Sequence, residues 1–187
     1  MKRILIMAMI SLISLQGFAQ KPVYKASKFS IRSDGKQDNT TSIQGAIDYI
    51  AANGGGTLEF SVGRYLTGAV ELKSGVNIKL LEGAIIVGST NVYSYKGHPG
   101  IFWAEGQKNI LIDGQGVFDG RGAELRKNEK AQKSLGHIPE DHAVPALMSF
   151  KDCEGIVVKG VILRNSAAEV PILTSKAGIE IQNVSME

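Results

Sequence analysis

The side chains that could do chemistry in this sequence are mostly carboxylates, and several stand beside turn residues. Asp113 and Asp119 could be offered as the acid and base of a glycosidase, since hydrolysis of a glycosidic bond uses one carboxyl group on the leaving oxygen and a second on the attacking water. Each of them is followed by glycine, however, and Asp-Gly is typical of tight turns. We therefore expect both aspartates to be turn residues.

Two further groups could bind or react with a ligand. Glu140-Asp141-His142 could form an acid–base cluster, but the prolines on either side, Pro139 and Pro145, indicate an exposed loop. His98, near Trp103 and Tyr95, could line a sugar-binding groove, because aromatic faces stack on sugar rings. Aromatic residues more often fill a core or stand singly on a surface, and that is the interpretation the sequence favours.

A basic segment spans residues 121–133 and has a local charge of +3, from Arg121, Arg126, Lys127, Lys130 and Lys133 against Glu124 and Glu129. It could contact an acidic polysaccharide. Charges at this spacing are also typical of a solvated helix, so we predict a helical insertion here.

The first residues of the chain resemble an export signal and not a part of the fold. Lys2 and Arg3 precede an apolar run at residues 4–15, and Gly17-Phe18-Ala19 places small residues where a signal peptidase reads them. The apolar run is shorter than the roughly 20 residues of a membrane span. We predict a signal peptide at residues 1–19, cleavage before Gln20, a domain at residues 20–187, and a secreted or periplasmic protein.

Composition and charge exclude several classes of protein. The 187 residues are 43% hydrophobic and 21% charged, as in a globular domain. The net charge of +3 falls to +1 once Lys2 and Arg3 are removed, which gives no basis for binding nucleic acid or a membrane surface. Cys153 is the single cysteine, so an internal disulfide and a cysteine-based zinc site are excluded, and a buried, inert thiol is expected. No cofactor or metal is expected.

One helix is predicted over residues 41–52. Thr41 and Gln44 have the spacing of a capping box. The apolar residues that follow recur at helical spacing, namely Ile43, Ala46, Ile47, Ile50 and Ala51. Asn53 and the glycines after it are typical of a helix C-terminus.

After Gly56 the pattern changes to nine short alternating segments, which predict strands between Thr57 and Gln182. Similar segments begin at Asn109, Gly155 and Gly178, at separations of 46 and 23 residues. We interpret 46 as twice a repeat of 23, which predicts a stacked solenoid with one repeat per coil. Several strands per coil favour a parallel β-helix, with the helix at 41–52 covering its N-terminal end.

Longer motifs resemble a known family. They include Gly54-Gly55-Gly56-Thr57, Ile112-Asp113-Gly114-Gln115-Gly116 and Leu163-Arg164-Asn165-Ser166, within matches at residues 33–48, 54–60, 63–68, 72–76, 112–120 and 163–166. The chain is similar to the polygalacturonase-like enzymes, glycoside hydrolase family 28. The resemblance implies an all-β, single-stranded right-handed parallel β-helix of the pectinase type with an N-terminal capping α-helix. It also implies inverting hydrolysis of pectic polysaccharide, and hence an acidic polysaccharide as partner.

The catalytic motifs of that family are missing. The sequence contains no Asn-x-Asp, no Asp-Asp, no Gly-His-Gly and no Arg-x-Lys, so no catalytic residue can be assigned. We expect an N-terminal part of the enzyme, with the C-terminal coils missing, which is inactive as an isolated chain. The alternative is a non-catalytic module that binds acidic polysaccharide or pairs with another β-helix through its exposed last coil. A calcium-dependent lyase or epimerase of the same fold is a weaker alternative, because no suitable carboxylate cluster is visible.

Overall fold

Three parallel β-sheets run along a computed structural model that describes residues 21–175 and 178–187. Each turn of the chain contributes one strand to each sheet in succession, so that strands distant in sequence lie side by side. The molecule is therefore a parallel β-helix, as the repeats predict. The predicted signal peptide, residues 1–19, lies outside the described residues.

The strands divide among the sheets as follows. Sheet 1 contains β1 (Val23–Lys25), β2 (Gly56–Phe60), β5 (Val76–Leu80), β8 (Lys108–Gly114), β11 (Glu154–Lys159) and β14 (Ile179–Gln182). Sheet 2 contains β3 (Gly63–Thr67), β6 (Ala84–Gly88), β9 (Val117–Asp119), β12 (Ile162–Arg164) and β15 (Ser185–Met186). Sheet 3 contains β4 (Val70–Glu71), β7 (Gly100–Glu105), β10 (Ala146–Lys151) and β13 (Ile172–Ser175). Each of the nine predicted segments overlaps one of these strands.

The core consists of apolar side chains stacked in columns along the solenoid axis. In sheet 1, Leu58, Ile78, Ile112 and Val158 are neighbours in register on four consecutive strands, and all are fully buried. Alternate residues of a strand point to opposite faces, so the alternating pattern of the sequence places these apolar residues inside. Cys153 is buried as predicted.

The outer face of sheet 1 has a second column, whose members alternate in charge. Lys25, Glu59, Lys79, Asp113 and Lys159 occupy neighbouring positions on five consecutive strands. A shift of one residue in any strand would turn its apolar side chains outward, and like charges directly opposite one another are destabilising. The alternation of charge and the burial of apolar residues therefore favour the same register.

The coils differ in length, and this corrects one prediction. Ile110 lies beside Ile156 and Ile156 lies beside Ile179, so the segments 46 residues apart belong to adjacent coils. The interpretation of 46 as two repeats is wrong. The extra length is an insertion of residues 120–145 between β9 and β10, which contains a second helix.

The first helix, α1 (Thr40–Ala52), covers the N-terminal end of the solenoid. Its apolar face buries Ile43, Ala46, Ile47 and Ile50, and the helix packs against β2, β4 and β5. The chain leaves α1 through Gly54 and Gly55, both with φ of +87°, a backbone conformation that favours glycine. The predicted extent and role of this helix are confirmed.

The capping box is not formed. The helix begins at Thr40, whose backbone N–H donates to Oδ1 of Asp38 at 2.8 Å. The Gln44 side chain is engaged elsewhere, because its Oε1 accepts from the backbone N–H of Glu71 at 2.8 Å and its Nε2 donates to the Glu71 carbonyl at 3.1 Å. This amide thus joins α1 to β4 in the manner of a neighbouring strand.

Two insertions leave the solenoid at the corner between sheet 2 and sheet 3. The first contains a short 3-10 helix at Val92–Tyr95, and the second contains α2 (Gly122–Ser134). Leu125 is the buried anchor of α2, and the Arg126 guanidinium donates to the carbonyls of Ser166 and Ala167 at 3.1 and 2.9 Å. The basic segment 121–133 is therefore a helical insertion, as predicted. Within the described residues, neither helix has the length and apolar character needed to cross a membrane.

Candidate functional site

A groove crosses the outer face of sheet 3. Its floor is a column of outward-facing residues in register on four strands, Glu71, Trp103, Ser149 and Leu173. These side chains come from different coils, yet neighbouring strands lie only about 4.8 Å apart. The parallel pairing therefore assembles one continuous surface from positions that are distant in the sequence.

Trp103 and His98 divide the groove into two hollows. Their rings are stacked, with centroids 4.2 Å apart and planes inclined by 12°. The insertion between β6 and β7 positions the histidine, because Lys96 and Gly97 have positive φ and turn the chain, and the His98 N–H donates to the Tyr95 carbonyl at 2.8 Å. The sequence favours a core or an isolated surface position for these residues, and this is wrong for His98 and Trp103, which both line the groove.

Tyr95 is not part of the groove. It is buried, and its hydroxyl donates to the Ser89 carbonyl at 2.6 Å. Burial also raises the pKa of this tyrosine well above its ordinary value. Tyr95 therefore supports the base of the loop from the core side, while His98 presents its ring outward.

One of the two hollows in the groove lies over β7, β10 and β13, and we call it the sheet hollow. It has a volume of about 330 Å³, near the lower end of the range of about 300–1,000 Å³ seen for ligand pockets. Apolar and aromatic groups of Pro99, Trp103 and Leu173 form much of its lining. Ser149 and Ser175, at outward-facing positions of β10 and β13, add hydroxyl groups. An aromatic wall with a few hydroxyls is a surface on which a sugar ring can stack and hydrogen-bond.

The second, the helix hollow, has a volume of about 440 Å³ and lies between α1 and the ring stack. Thr40, Gln44 and Asp48 face it from the helix, and Glu71 and Lys96 face it from the other side. Because the Gln44 side chain is bonded to the backbone of β4, this wall is held in place by the same contact that attaches α1. The two hollows share Trp103 and His98, so one extended ligand could occupy both.

Ion pairs occupy most of the charged positions of the groove. The Lys151 ammonium lies 2.5 Å from Oε1 of Glu105 across adjacent strands, and the Lys73 ammonium lies 2.5 Å from Oε2 of Glu71. The hydrogen bond to Glu105 raises the pKa of Lys151, so this lysine stays charged at neutral pH. Asp48 receives a hydrogen bond from Gln44 Nε2 at 3.0 Å. These groove residues are not evident from the sequence, because no local sequence pattern shows which coils lie next to each other.

Asp113 and Asp119 do not form a catalytic pair. Asp113 lies on β8 in sheet 1 and Asp119 ends β9 in sheet 2, and neither lines the groove. The position after each aspartate has no room for a side chain, so glycine is required there. A Cβ at Gly114 would lie 1.9 Å from the Leu80 carbonyl oxygen, and a Cβ at Gly120 would lie 2.6 Å from the Asn165 carbonyl oxygen. Neither aspartate lies in a catalytic pair, but the predicted turns are wrong, because Asp113-Gly114 lies within β8 and Asp119 is the last residue of β9.

Asp119 belongs to a partly buried hydrogen-bond cluster. Its Oδ2 accepts from Nη2 and Nε of Arg164 at 3.1 and 3.3 Å, and its Oδ1 accepts from Asn165 Nδ2 at 3.1 Å and from the Arg121 N–H at 3.3 Å. Burial acts to raise the pKa of Asp119, but the hydrogen bonds from Asn165, Arg121 and Arg164 outweigh it, so the pKa lies below its ordinary value. This carboxylate holds two coils together and is not available as a proton donor.

The remaining candidates lie outside the groove. Glu140 and Asp141 are exposed on the loop between α2 and β10, as predicted. Among the residues with described positions, no group of three or more histidine, cysteine or acidic side chains could hold a metal ion. The groove can therefore bind and orient a ligand, but its described carboxylates are engaged by Lys73, Lys151 or Gln44.

Comparison with known proteins gives a curated relative and several solved structures. No protein-family model matches the sequence. The exo-poly-alpha-D-galacturonosidase of Dickeya chrysanthemi is 30% identical over 135 residues, which cover 62% of this chain and 22% of that protein. The chain thus spans about a fifth of the curated relative that it matches.

Solved structures include more complete matches. A protein of Parabacteroides merdae that is assigned to the glycosyl hydrolases is 40% identical with a TM-score of 0.86, and the match covers 89% of this chain and 75% of that one. A family 28 exopolygalacturonase of Yersinia enterocolitica has a TM-score of 0.74 at 22% identity, covering 89% and 40% of the two chains. The latter likeness shows that the two proteins share the fold.

Replacement of Asp119 by asparagine should lower the free energy of unfolding at pH 7 by about 1–3 kcal/mol, because Arg164 would lose its charged partner. Because the pKa of Asp119 is lower in the folded protein than in the unfolded chain, the carboxylate stabilises the fold at pH values above its pKa in the unfolded chain. This contribution is lost as the pH falls through its pKa in the folded protein. The deficit of Asp119→Asn relative to wild type should therefore shrink between pH 5 and pH 2. Urea denaturation across this range measures it.

Asp113→Asn is the matched control. Asp113 is followed by glycine like Asp119 but lies on the outer face of sheet 1, so its replacement should change stability by less than about 0.5 kcal/mol. Equal losses for the two variants, or a loss for Asp119→Asn that does not depend on pH, would contradict the structural role assigned to the cluster.

Proposed function

We propose that this chain, which belongs to the glycoside hydrolases and resembles the polygalacturonase-like enzymes of family 28, acts in the hydrolysis of pectic polysaccharide and holds the polysaccharide in the groove across Trp103. The observation that carries the proposal is the stacked pair of Trp103 and His98, which stands between two hollows on the outer face of sheet 3. Sugar rings present flat apolar faces, and an indole ring is a large rigid surface for them.

The direction of the groove supports a polymer as ligand. Its floor runs along the solenoid axis, from α1 across β4, β7 and β10 to β13, perpendicular to the strands. A chain of pyranose rings laid along this direction contacts one coil after another. The hydroxyls of Ser149 and Ser175 and the carboxylates of Asp48 and Glu105 offer acceptors for the sugar hydroxyls.

Binding and catalysis are separate in this proposal. Inverting hydrolysis needs one carboxyl group that protonates the leaving oxygen and another that activates water. The family motifs that supply them are absent from the sequence. Glu71 and Glu105 in the described groove are bonded to lysines. We therefore propose that this chain contributes substrate binding and that the chain alone does not cleave pectin.

Trp103→Ala should weaken binding to pectin by about two- to tenfold, since loss of a stacked aromatic corresponds to roughly 0.5–1.5 kcal/mol and each 1.4 kcal/mol is a factor of ten. Affinity electrophoresis in gels containing pectin measures the change. Tyr93→Ala is the control, because Tyr93 is an exposed aromatic of the same insertion that lines neither hollow. Equal retardation of wild type and the Trp103 variant would contradict the proposed groove.

The purified chain should release no reducing ends from polygalacturonate or pectin above a protein-free blank, because Glu71, Glu105 and Asp48 in the described groove are engaged by Lys73, Lys151 and Gln44 and acid–base hydrolysis needs two available carboxyl groups. A reducing-sugar assay over several hours checks this, with a commercial polygalacturonase as positive control. Sustained release that scales with the concentration of the chain would show that catalytic residues are present and overturn the proposed separation.

Export is a further part of the proposal. The basic start, the apolar run at residues 4–15 and Gly17-Phe18-Ala19 support removal of residues 1–19 and a secreted or periplasmic location. Mass spectrometry of the chain recovered from periplasm or culture medium should give Gln20 as the first residue. Recovery in the cytoplasm alone with residues 1–19 intact would contradict export.

A further inference from the structure

We propose that the groove selects uncharged sugar residues, either methyl-esterified galacturonate or neutral hexose, over free galacturonate at the positions beside Trp103. The inference rests on the proposed function of the groove and specifies which form of the polysaccharide it accepts. It follows from how the charges of the two hollows are arranged.

The sheet hollow presents a neutral surface. Its charged side chains among the described residues are Glu105 and Lys151, and these neutralise each other at 2.5 Å. Recognition of a carboxylate usually relies on an arginine fork or a lysine whose charge is available. Lys151 already has a carboxylate partner, so a galacturonate placed here would have to compete with Glu105 for the same ammonium group.

The helix hollow contains an acidic group that lacks a lysine partner among the described ion pairs, Asp48. Asp48 and Glu71 both face it, and Lys96 is the cation among its described lining residues. Lys73 neutralises Glu71 from the side. Beside Asp48, which accepts from the uncharged Gln44 amide, a free carboxylate meets a like charge, whereas an ester or a hydroxymethyl group in the same position carries no charge and can donate or accept through its neighbouring hydroxyls.

The rest of the lining favours an uncharged ring. Pro99, Trp103 and Leu173 surround the sheet hollow with apolar surface, on which a methyl ester or the carbon-bound hydrogens of a hexose can rest. Taking a carboxylate out of water against such a surface without a compensating cation is unfavourable. Apolar lining and cancelled charge thus act in the same direction.

The test measures binding of three probes of equal length by isothermal titration calorimetry: an oligogalacturonide, its fully methyl-esterified form and a neutral β-1,4-galactan oligosaccharide. Wild type should bind at least one of the two uncharged probes about tenfold more tightly than the free oligogalacturonide. The two uncharged probes distinguish an ester-specific groove from one that accepts neutral hexose.

Glu105→Gln removes the partner of Lys151 and leaves a free ammonium in the sheet hollow. Affinity for the free oligogalacturonide should rise about fivefold, on the order of one solvent-exposed charge contact, with little change for the uncharged probes. Glu154→Gln is the matched control: it removes the partner of Lys108, from which it lies 2.7 Å away, in an exposed pair that lines neither hollow. That variant should bind all three probes as wild type does.

Three results would overturn the inference. If wild type binds the free oligogalacturonide as tightly as the uncharged probes or more tightly, and Trp103→Ala abolishes that binding, the groove binds pectin but does not select against charge. If Glu105→Gln and Glu154→Gln raise affinity for the free probe equally, net charge and not the position of Lys151 decides binding. If no probe binds wild type, the selectivity and the proposed groove both fail.

Discussion

Parallel pairing of equivalent positions on successive coils is the interaction on which the rest of this structure depends. Each strand finds its partners one coil before and one coil after it, at a register that places apolar residues over apolar residues. The core column of Leu58, Ile78, Ile112 and Val158 and the groove floor of Trp103, Ser149 and Leu173 are consequences of this one rule on opposite faces of the sheets. A slip of one residue would bury the charges and expose the core.

The solenoid tolerates insertions at one corner without loss of that pairing. The connections from sheet 2 to sheet 3 extend over residues 89–99 and 120–145, yet β7 and β10 on the far side remain neighbours in register. Extra length costs little when it leaves from a corner and returns to the same coil, because closure entropy grows slowly with loop length. The first insertion brings His98 onto Trp103, so the irregular part of the chain builds the wall of the groove.

Charged pairs between coils have two consequences. Glu105 with Lys151, and Lys108 with Glu154, join the same two coils with opposite polarity on either side of one turn. Each pair is more than half exposed and contributes little stability by itself, but a change of register would bring like charges together. The first pair also lies in the sheet hollow, where it cancels the charge that a free carboxylate ligand would need.

Local features of the sequence determined much of this protein. Helical spacing and the glycines that follow it predicted α1, alternation predicted the strands, and the lone cysteine was correctly expected inside. These features depend on neighbours a few residues away along the chain.

Tertiary structure decided the rest. Segments 46 residues apart belong to adjacent coils, and Gln44 bonds to β4 instead of capping its helix. Tyr95 enters the core while His98 faces outward, and Glu105 and Lys151 form an ion pair between coils. The reason is that coil length varies with each insertion, so the partner of a residue across the sheet is set by the folded register and not by a constant distance along the chain.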